Sequence, residues 1–129
     1  MKKKPNGFIP IDMGPIPVWL FLATDEESFY RGVEGLGLVP AGPFIAPDKA
    51  ASAQFLDKPK DGMVTLVACF NKPKKLTASF AALVSHEAVH ISDFCWEVMG
   101  EDKPGEEVRA YMVQYLTQRF LDGLLGVAA

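Results

Sequence analysis

The sequence predicts a single α+β domain, a class in which strands and helices occupy separate stretches of the chain. Nine of the ten prolines lie at or before Pro73, so long helices are expected only in the last part of the chain. Short apolar runs precede that point, and two long segments with helical periodicity follow it. At this length one domain is expected to span residues 1–129, with residues 1–15 as an irregular N-terminal segment.

The first strand and the first helix are predicted next to each other. Residues 17–24 (PVWLFLAT) are bulky and apolar, and the run is too short for a helix of its own, so a strand is expected. Thr24 and Glu27 match a capping box that opens a helix, which ends near Gly35 and Gly37. The apolar face of this helix is expected to carry Phe29, Tyr30 and Val33.

Two further strands are predicted after a loop. Residues 38–48 contain three prolines and a glycine, which favours an irregular connection. Residues 51–56 and 63–70 have strand character and are joined by DKPKDG, a connection typical of a hairpin. The second of these strands is apolar on both faces except at Thr65, so we expect it to lie between two layers.

The last part of the chain predicts two helices. Residues 76–99 contain no proline, and Gly100 and Pro104 follow as stop signals. A final helix is expected over residues 105–125. The predicted order of elements is therefore β-α-β-β-α-α.

Composition excludes several classes of function. The net charge is -3, whereas proteins that bind nucleic acids usually present a basic surface. No apolar run approaches the roughly 18 to 20 residues of a membrane span. Cys69 and Cys95 are too few for a disulfide scaffold and favour reduced thiols in the cytoplasm. The apolar run at 16–23 follows three prolines, contains a fourth and is at the short limit for a signal peptide, so none is expected.

The motif His86-Glu87-Ala88-Val89-His90 lies within the first long helix and contains both histidines of the chain. A spacing of four residues stacks two side chains on one helix face, so two imidazoles can bind one cation. Glu87 projects about 100° around the axis from the first histidine, beside the cation, where it can accept a proton from metal-activated water. Imidazole and carboxylate ligands favour Zn²⁺.

The helical wheel separates this motif from the predicted core. One polar strip, within about 40° of a line along the helix, contains Ser79, His86, His90, Asp93 and Glu97. The apolar face is centred roughly 130° away and contains Phe80, Val84, Ile91, Phe94, Cys95 and Val98. The histidines are therefore expected on a polar strip beside the core, which favours metal binding over a role in packing.

A third ligand has to be a carboxylate, because no other histidine remains. Asp93 and Glu97 rise about 4.5 and 10.5 Å beyond His90 along the same axis, which suits hydrogen bonding to an imidazole, or simple exposure to solvent, better than ligation. A carboxylate early in the next helix is better placed, and the wheel of that helix does not choose between Glu106 and Glu107.

These residues resemble a known family. HEAVH followed by Glu107-x-x-Ala110 on the next helix is similar to the gluzincin clan of zinc metallopeptidases, in which a downstream Glu completes HExxH. Residues 86–114 look more closely like small single-domain metallopeptidases encoded by bacteriophages and prophages. The resemblance implies a minimal zincin-like core. In such a core a small twisted sheet, whose edge strand precedes the active-site helix, packs on that helix and on a C-terminal helix.

The resemblance also implies roles for individual residues. His86, His90 and Glu107 would bind Zn²⁺, and Glu87 would be the general base that removes a proton from metal-activated water. Tyr111, one turn after Glu107, is the candidate to stabilise an oxyanion, because no further histidine is present; it is equally compatible with packing. The implied substrate is a peptide or protein, lying extended along the strand at residues 63–70. The host cytoplasm is the implied location if a phage encodes the chain.

Two other functions fit the same residues. A binding or assembly protein could keep the zincin scaffold, with or without zinc, and carry out no reaction. A zinc hydrolase that acts on a non-peptide amide is the third possibility. The intact Glu87 favours an enzyme, because a scaffold without catalytic demand can lose this residue and still hold a metal.

Overall fold

The computed structural model describes residues 7–56 and 62–126 and confirms the α+β class. Its elements are β1 (Phe8–Ile11), β2 (Val18–Ala23), α1 (Glu26–Gly35), β3 (Ala51–Leu56), β4 (Val64–Phe70), α2 (Ala78–Met99) and α3 (Glu106–Leu125). The four strands form one sheet in the order β1-β2-β4-β3. The inner strands β2 and β4 are parallel, and each outer strand is antiparallel to its neighbour. Within residues 7–56 and 62–126, no helix has both the length and the apolar character that a membrane crossing requires.

The sheet is covered on both faces, as the apolar sequence of β4 predicts. All residues of β4 are buried. Leu66 and Ala68 belong to the core that β4 shares with α2 and α3. Val67 and Cys69 point to the opposite face and pack with Phe29 of α1. Side chains alternate across a strand, so β4 supplies both cores.

The two long helices begin and end close to the predicted positions. The Thr77 side chain caps α2 by accepting a hydrogen bond of 3.1 Å from the Phe80 backbone N–H. Gly100 ends α2 in the left-handed conformation at φ 69°, where a side chain is disfavoured. Gly126 ends α3 in the same way at φ 73°.

The N-terminal region differs from expectation. Residues 8–11, inside the segment expected to be irregular, form β1 at one edge of the sheet. Pro10 is exposed in this strand, and an edge position tolerates a residue that cannot donate a backbone hydrogen bond. The ring of Phe8 stacks on Phe21 of β2, with centroids 4.5 Å apart. Residues 1–6 lie outside the described range.

The start of α1 also differs from the predicted capping box. Asp25 is the N-cap, and its carboxylate accepts a hydrogen bond of 2.8 Å from the Ser28 backbone N–H. Thr24 is buried at the end of β2 instead, where its backbone N–H donates to the Gly7 carbonyl. Tyr30 is 39% exposed, so it lies at the rim of the apolar face of α1.

The edge of the sheet is the main correction to the predicted substrate path. The expectation that the strand before α2 is an edge strand is wrong, because β4 pairs with β2 on one side and β3 on the other. The edge strand on this side is β3. Of the predicted hairpin connection, residues 57–61 lie outside the described range.

Candidate metal centre

The two histidines lie one turn apart on the outer side of α2, near its middle. Both are exposed, together with Ser79, Asp93 and Glu97, so the predicted polar strip is confirmed. The Nε2 atoms of His86 and His90 are 3.2 Å apart. Their rings meet edge to face, with centroids 4.9 Å apart and an interplanar angle of 72°. The two imidazoles therefore point their Nε2 atoms at the same place.

This separation is the one that a zinc ion requires. Zn–N bonds of about 2.0–2.1 Å at a tetrahedral angle place two nitrogens about 3.3 Å apart. The 3.2 Å between the two Nε2 atoms is close to this value. Without a cation, the same distance allows a hydrogen bond only if one Nε2 is protonated and the other is not. The pair is therefore suited to hold one cation or one proton.

Glu87 lies beside the pair but is buried, at 6% exposure. Burial raises the pKa of its carboxyl group above the usual value, and the nearby His90 and His86 lower it in part. The helical wheel explains the burial of Glu87, because its side chain projects between the polar strip and the apolar face of α2. A carboxylate whose pKa is raised is a stronger base, which is the property that proton abstraction requires.

The two flanks of α2 face different neighbours. Ser85, Val89 and Ser92 line grooves together with residues of α3. On the other flank, the ring of Phe94 contacts Phe55 of β3 edge to face, with centroids 5.5 Å apart.

The histidines lie between the two flanks of α2. At about 100° per residue, Asp93, which lines the groove towards α3, lies about 40° to one side of the midpoint of His86 and His90. Phe94, which contacts β3, lies about 60° to the other side. Glu87 projects within about 20° of Phe94, and so towards the edge strand β3.

The two carboxylates considered as the third ligand lie at the start of α3. Glu106 lines the groove between α2 and α3 with Val89 and Asp93. Glu107 is exposed, and by the helical wheel it lies on the same face of α3 as Gln114 and Gln118, which line a second groove with Ser85 of α2. Residues 7–56 and 62–126 contain no group of three or more His, Cys, Asp or Glu side chains placed to hold a metal ion. The structure therefore brings His86, Glu87 and His90 together without Glu107, whose ligation stays a prediction.

Tyr111 lies on the exposed surface of α3. Its side chain is 64% exposed. The packing alternative is not supported by this exposure, and the oxyanion role stays a prediction.

The functional feature that sequence reasoning missed is the edge strand β3. The signal was present in its polar residues: Ser52 and Gln54 alternate with apolar neighbours, whereas β4 is apolar throughout. Gln54 is buried and anchors the preceding loop, accepting from the Ala41 N–H at 3.0 Å and donating to the Pro43 carbonyl at 2.8 Å. These bonds are made by the Gln54 side chain and not by the backbone groups of β3.

No protein-family model, no curated protein and no solved structure matches the chain. The chemistry that can be assigned is therefore that of His86, Glu87 and His90 and of the strand and helix next to them.

Proposed function

We propose that this protein is a zinc-dependent metallopeptidase in which His86 and His90 hold the metal and Glu87 is the general base. The observation that carries the proposal is the 3.2 Å separation of the two Nε2 atoms, with a buried carboxylate between them in sequence. A role in core packing does not account for this arrangement, because both imidazoles are exposed.

Zinc and Glu87 have different roles in the proposed reaction. Bound zinc supplies a Lewis acid that activates water and polarises a peptide carbonyl. Glu87 accepts the proton of the attacking water and delivers it to the leaving amine. Its burial favours this role, because a carboxylate removed from bulk water keeps a raised pKa and binds a proton more readily.

Substrate binding is assigned to β3. This strand is the sheet edge on the side of α2 towards which Glu87 projects. A peptide can add to such an edge by main-chain hydrogen bonds, without a preformed pocket for every side chain. A cytoplasmic location is part of the proposal, because Cys69 and Cys95 are both free and buried, as expected in a reducing compartment.

The first experiment separates metal binding from turnover. Elemental analysis of the purified protein is expected to give one zinc per chain, and His86→Ala is expected to lose it. Glu87→Gln is expected to keep zinc and to lose about 10²- to 10⁴-fold in peptide hydrolysis. Asp93→Asn removes an exposed carboxylate from the same polar strip and is the matched control, which should retain both zinc binding and peptide hydrolysis. A wild-type protein that binds no zinc after reconstitution would contradict the proposal.

The same analysis assigns the third ligand. We keep Glu107 as the proposed ligand, and Glu107→Ala is then expected to lower the zinc content while Glu106→Ala does not. If Glu107→Ala retains one zinc per chain, the assignment is wrong and Glu106, on the groove that contains Val89 and Asp93, is the next carboxylate to test.

A non-catalytic binding protein is the second candidate. It is favoured because residues 7–56 and 62–126 contain no group of three His, Cys, Asp or Glu side chains placed to hold a metal, and two histidines alone hold zinc less tightly than three ligands. In that case Glu87→Gln should change neither zinc content nor binding of a partner, and wild-type protein should hydrolyse no peptide.

A further inference from the structure

We propose that a groove beside the C-terminal half of α2 selects a basic side chain of the substrate, with Glu97 as the selecting residue. This inference rests on the proposed peptidase function, since it concerns a peptide that passes the metal centre along β3. It adds a substrate class, peptides with Lys or Arg at a fixed distance from the cleaved bond.

The groove has the chemical character that such a side chain needs. Its volume is about 400 Å³. Its apolar walls include Pro17, Phe55, Met63, Val64 and Val98. Among the described residues that line it, Glu97 alone carries a charge, and its side chain is exposed to solvent. Lys and Arg combine an apolar stem with a cationic end, so they can pack on these walls and pair with the carboxylate.

The groove lies on the path of a peptide bound at β3. Near the start of α2, Phe80 contacts Phe70, which pairs with Ala51 at the start of β3. Further along, Phe94 of α2 contacts Phe55 near the end of β3. The helix and the edge strand therefore run in the same direction, and a peptide added to β3 runs from the histidines towards the groove.

The distance sets the position of the basic residue. Glu97 follows His90 by seven residues, which is about 10.5 Å along the axis of α2. An extended peptide covers this distance in about three residues at roughly 3.3 Å each. A peptide strand presents alternate side chains to the α2 side of the sheet, where Phe55 also points. We therefore place the selected side chain about three residues from the cleaved bond.

The experiment uses fluorescein-labelled decapeptides of Ala, Ser and Leu that carry one Lys at a varied position. Matched peptides carry norleucine there, which has the same carbon chain without the charge. Cleavage by the zinc-loaded protein is followed by mass spectrometry, and binding to zinc-loaded Glu87→Gln is followed by fluorescence anisotropy. Wild type is expected to cut at a constant spacing of about three residues from Lys and to prefer Lys over norleucine about three- to five-fold, as for a partly exposed ion pair.

The variants decide the role of Glu97. Glu97→Gln is expected to lose the preference for Lys, so that it cleaves the Lys and norleucine peptides at equal rates. Asp93→Asn removes the same charge on the same helix but lines the groove towards α3, so it should keep the preference. A Lys preference that persists in Glu97→Gln, or cleavage with no preference, overturns the proposed role of the groove but does not contradict the peptidase proposal. A Lys preference in binding with no cleavage of any peptide supports the groove and contradicts the peptidase. No binding of any decapeptide overturns the groove.

Discussion

Replacing His90 with alanine is expected to remove stabilisation by zinc and to leave the metal-free fold almost unchanged. The side chain is exposed on the outer side of α2, and its hydrogen-bonding contact is with His86. Exposed side chains of this kind contribute within about 0.5 kcal/mol to the free energy of unfolding. A histidine that served the core would give a much larger loss.

The size of the zinc effect follows from linkage. At a zinc concentration of 100 times Kd, a single site adds about 2.7 kcal/mol to the free energy of unfolding. The entropy of unfolding is about 2.1 cal/mol/K per residue, or about 0.27 kcal/mol/K for the 129 residues of this chain. Zinc should therefore raise the Tm of the wild type by about 10 °C. The metal-free Tm of His90→Ala should lie within about 2 °C of the wild type on the same scale.

Differential scanning calorimetry with chelator and with zinc measures both quantities. Asp93→Ala, on the same exposed strip, is the control and should show the full shift with zinc. An equal zinc shift in His90→Ala and wild type would mean that the metal binds elsewhere. A large loss of metal-free stability in His90→Ala would mean that the imidazole serves the fold, and the metal-centre hypothesis would lose its main support.

Three further predictions concern buried polar groups. With chelator present, Glu87→Gln should unfold at a higher temperature than wild type at pH 7 but not near pH 4. Burial raises the pKa of Glu87 in the folded protein, so its contribution to stability is complete below the pKa of the unfolded chain and is lost as the pH rises. An equal difference at both pH values would contradict this. Burial raises the pKa of Cys69 to about 12 and of Cys95 to about 11, so Ellman's reagent should react at pH 8 at least 100-fold more slowly in native than in urea-unfolded protein. A fast reaction of Ellman's reagent with the native protein would refute this prediction. The free energy of unfolding should also fall as the pH rises above about 9, where the thiols of the unfolded chain lose their protons. Gln54→Ala should lower the free energy of unfolding by about 1 kcal/mol in urea titrations, because it removes side-chain hydrogen bonds that hold the preceding loop. The exposed Gln114→Ala should change it by less than about 0.5 kcal/mol.

The predictable part of this fold is the part that local signals determine. The apolar period and the absence of proline predict α2 to within two residues at its start, and Gly100 predicts its end. The continuous apolar sequence of β4 predicts a strand covered on both faces, and the structure agrees. These features depend on residues a few positions apart, which is the range over which sequence patterns carry information.

The unpredicted part depends on pairing between distant residues. β1 has only four residues and contains Pro10, so no local signal separates it from a loop. The parallel pairing of β2 with β4 places β3 at the edge, although the chain order suggests that β4 is the outer strand. A crossover of this kind is set by how α1 and the two cores pack together, and no short stretch of sequence encodes it.

The candidate site shows the same division within a single helix. The spacing of His86, Glu87 and His90 determines the angles of their side chains around α2, and the structure confirms an exposed histidine pair beside a buried carboxylate. The sequence does not determine which element lies on each side of the helix. Glu87 projects towards the flank that contacts β3, whereas α3, which contains Glu107, packs on the other flank beside Val89 and Asp93. In the proposed peptidase, the edge strand would give access to a peptide, and Glu107 would have to reach the ion from the side of α3. Zinc content in Glu107→Ala thus tests whether α3 contributes to the metal site or only to the fold.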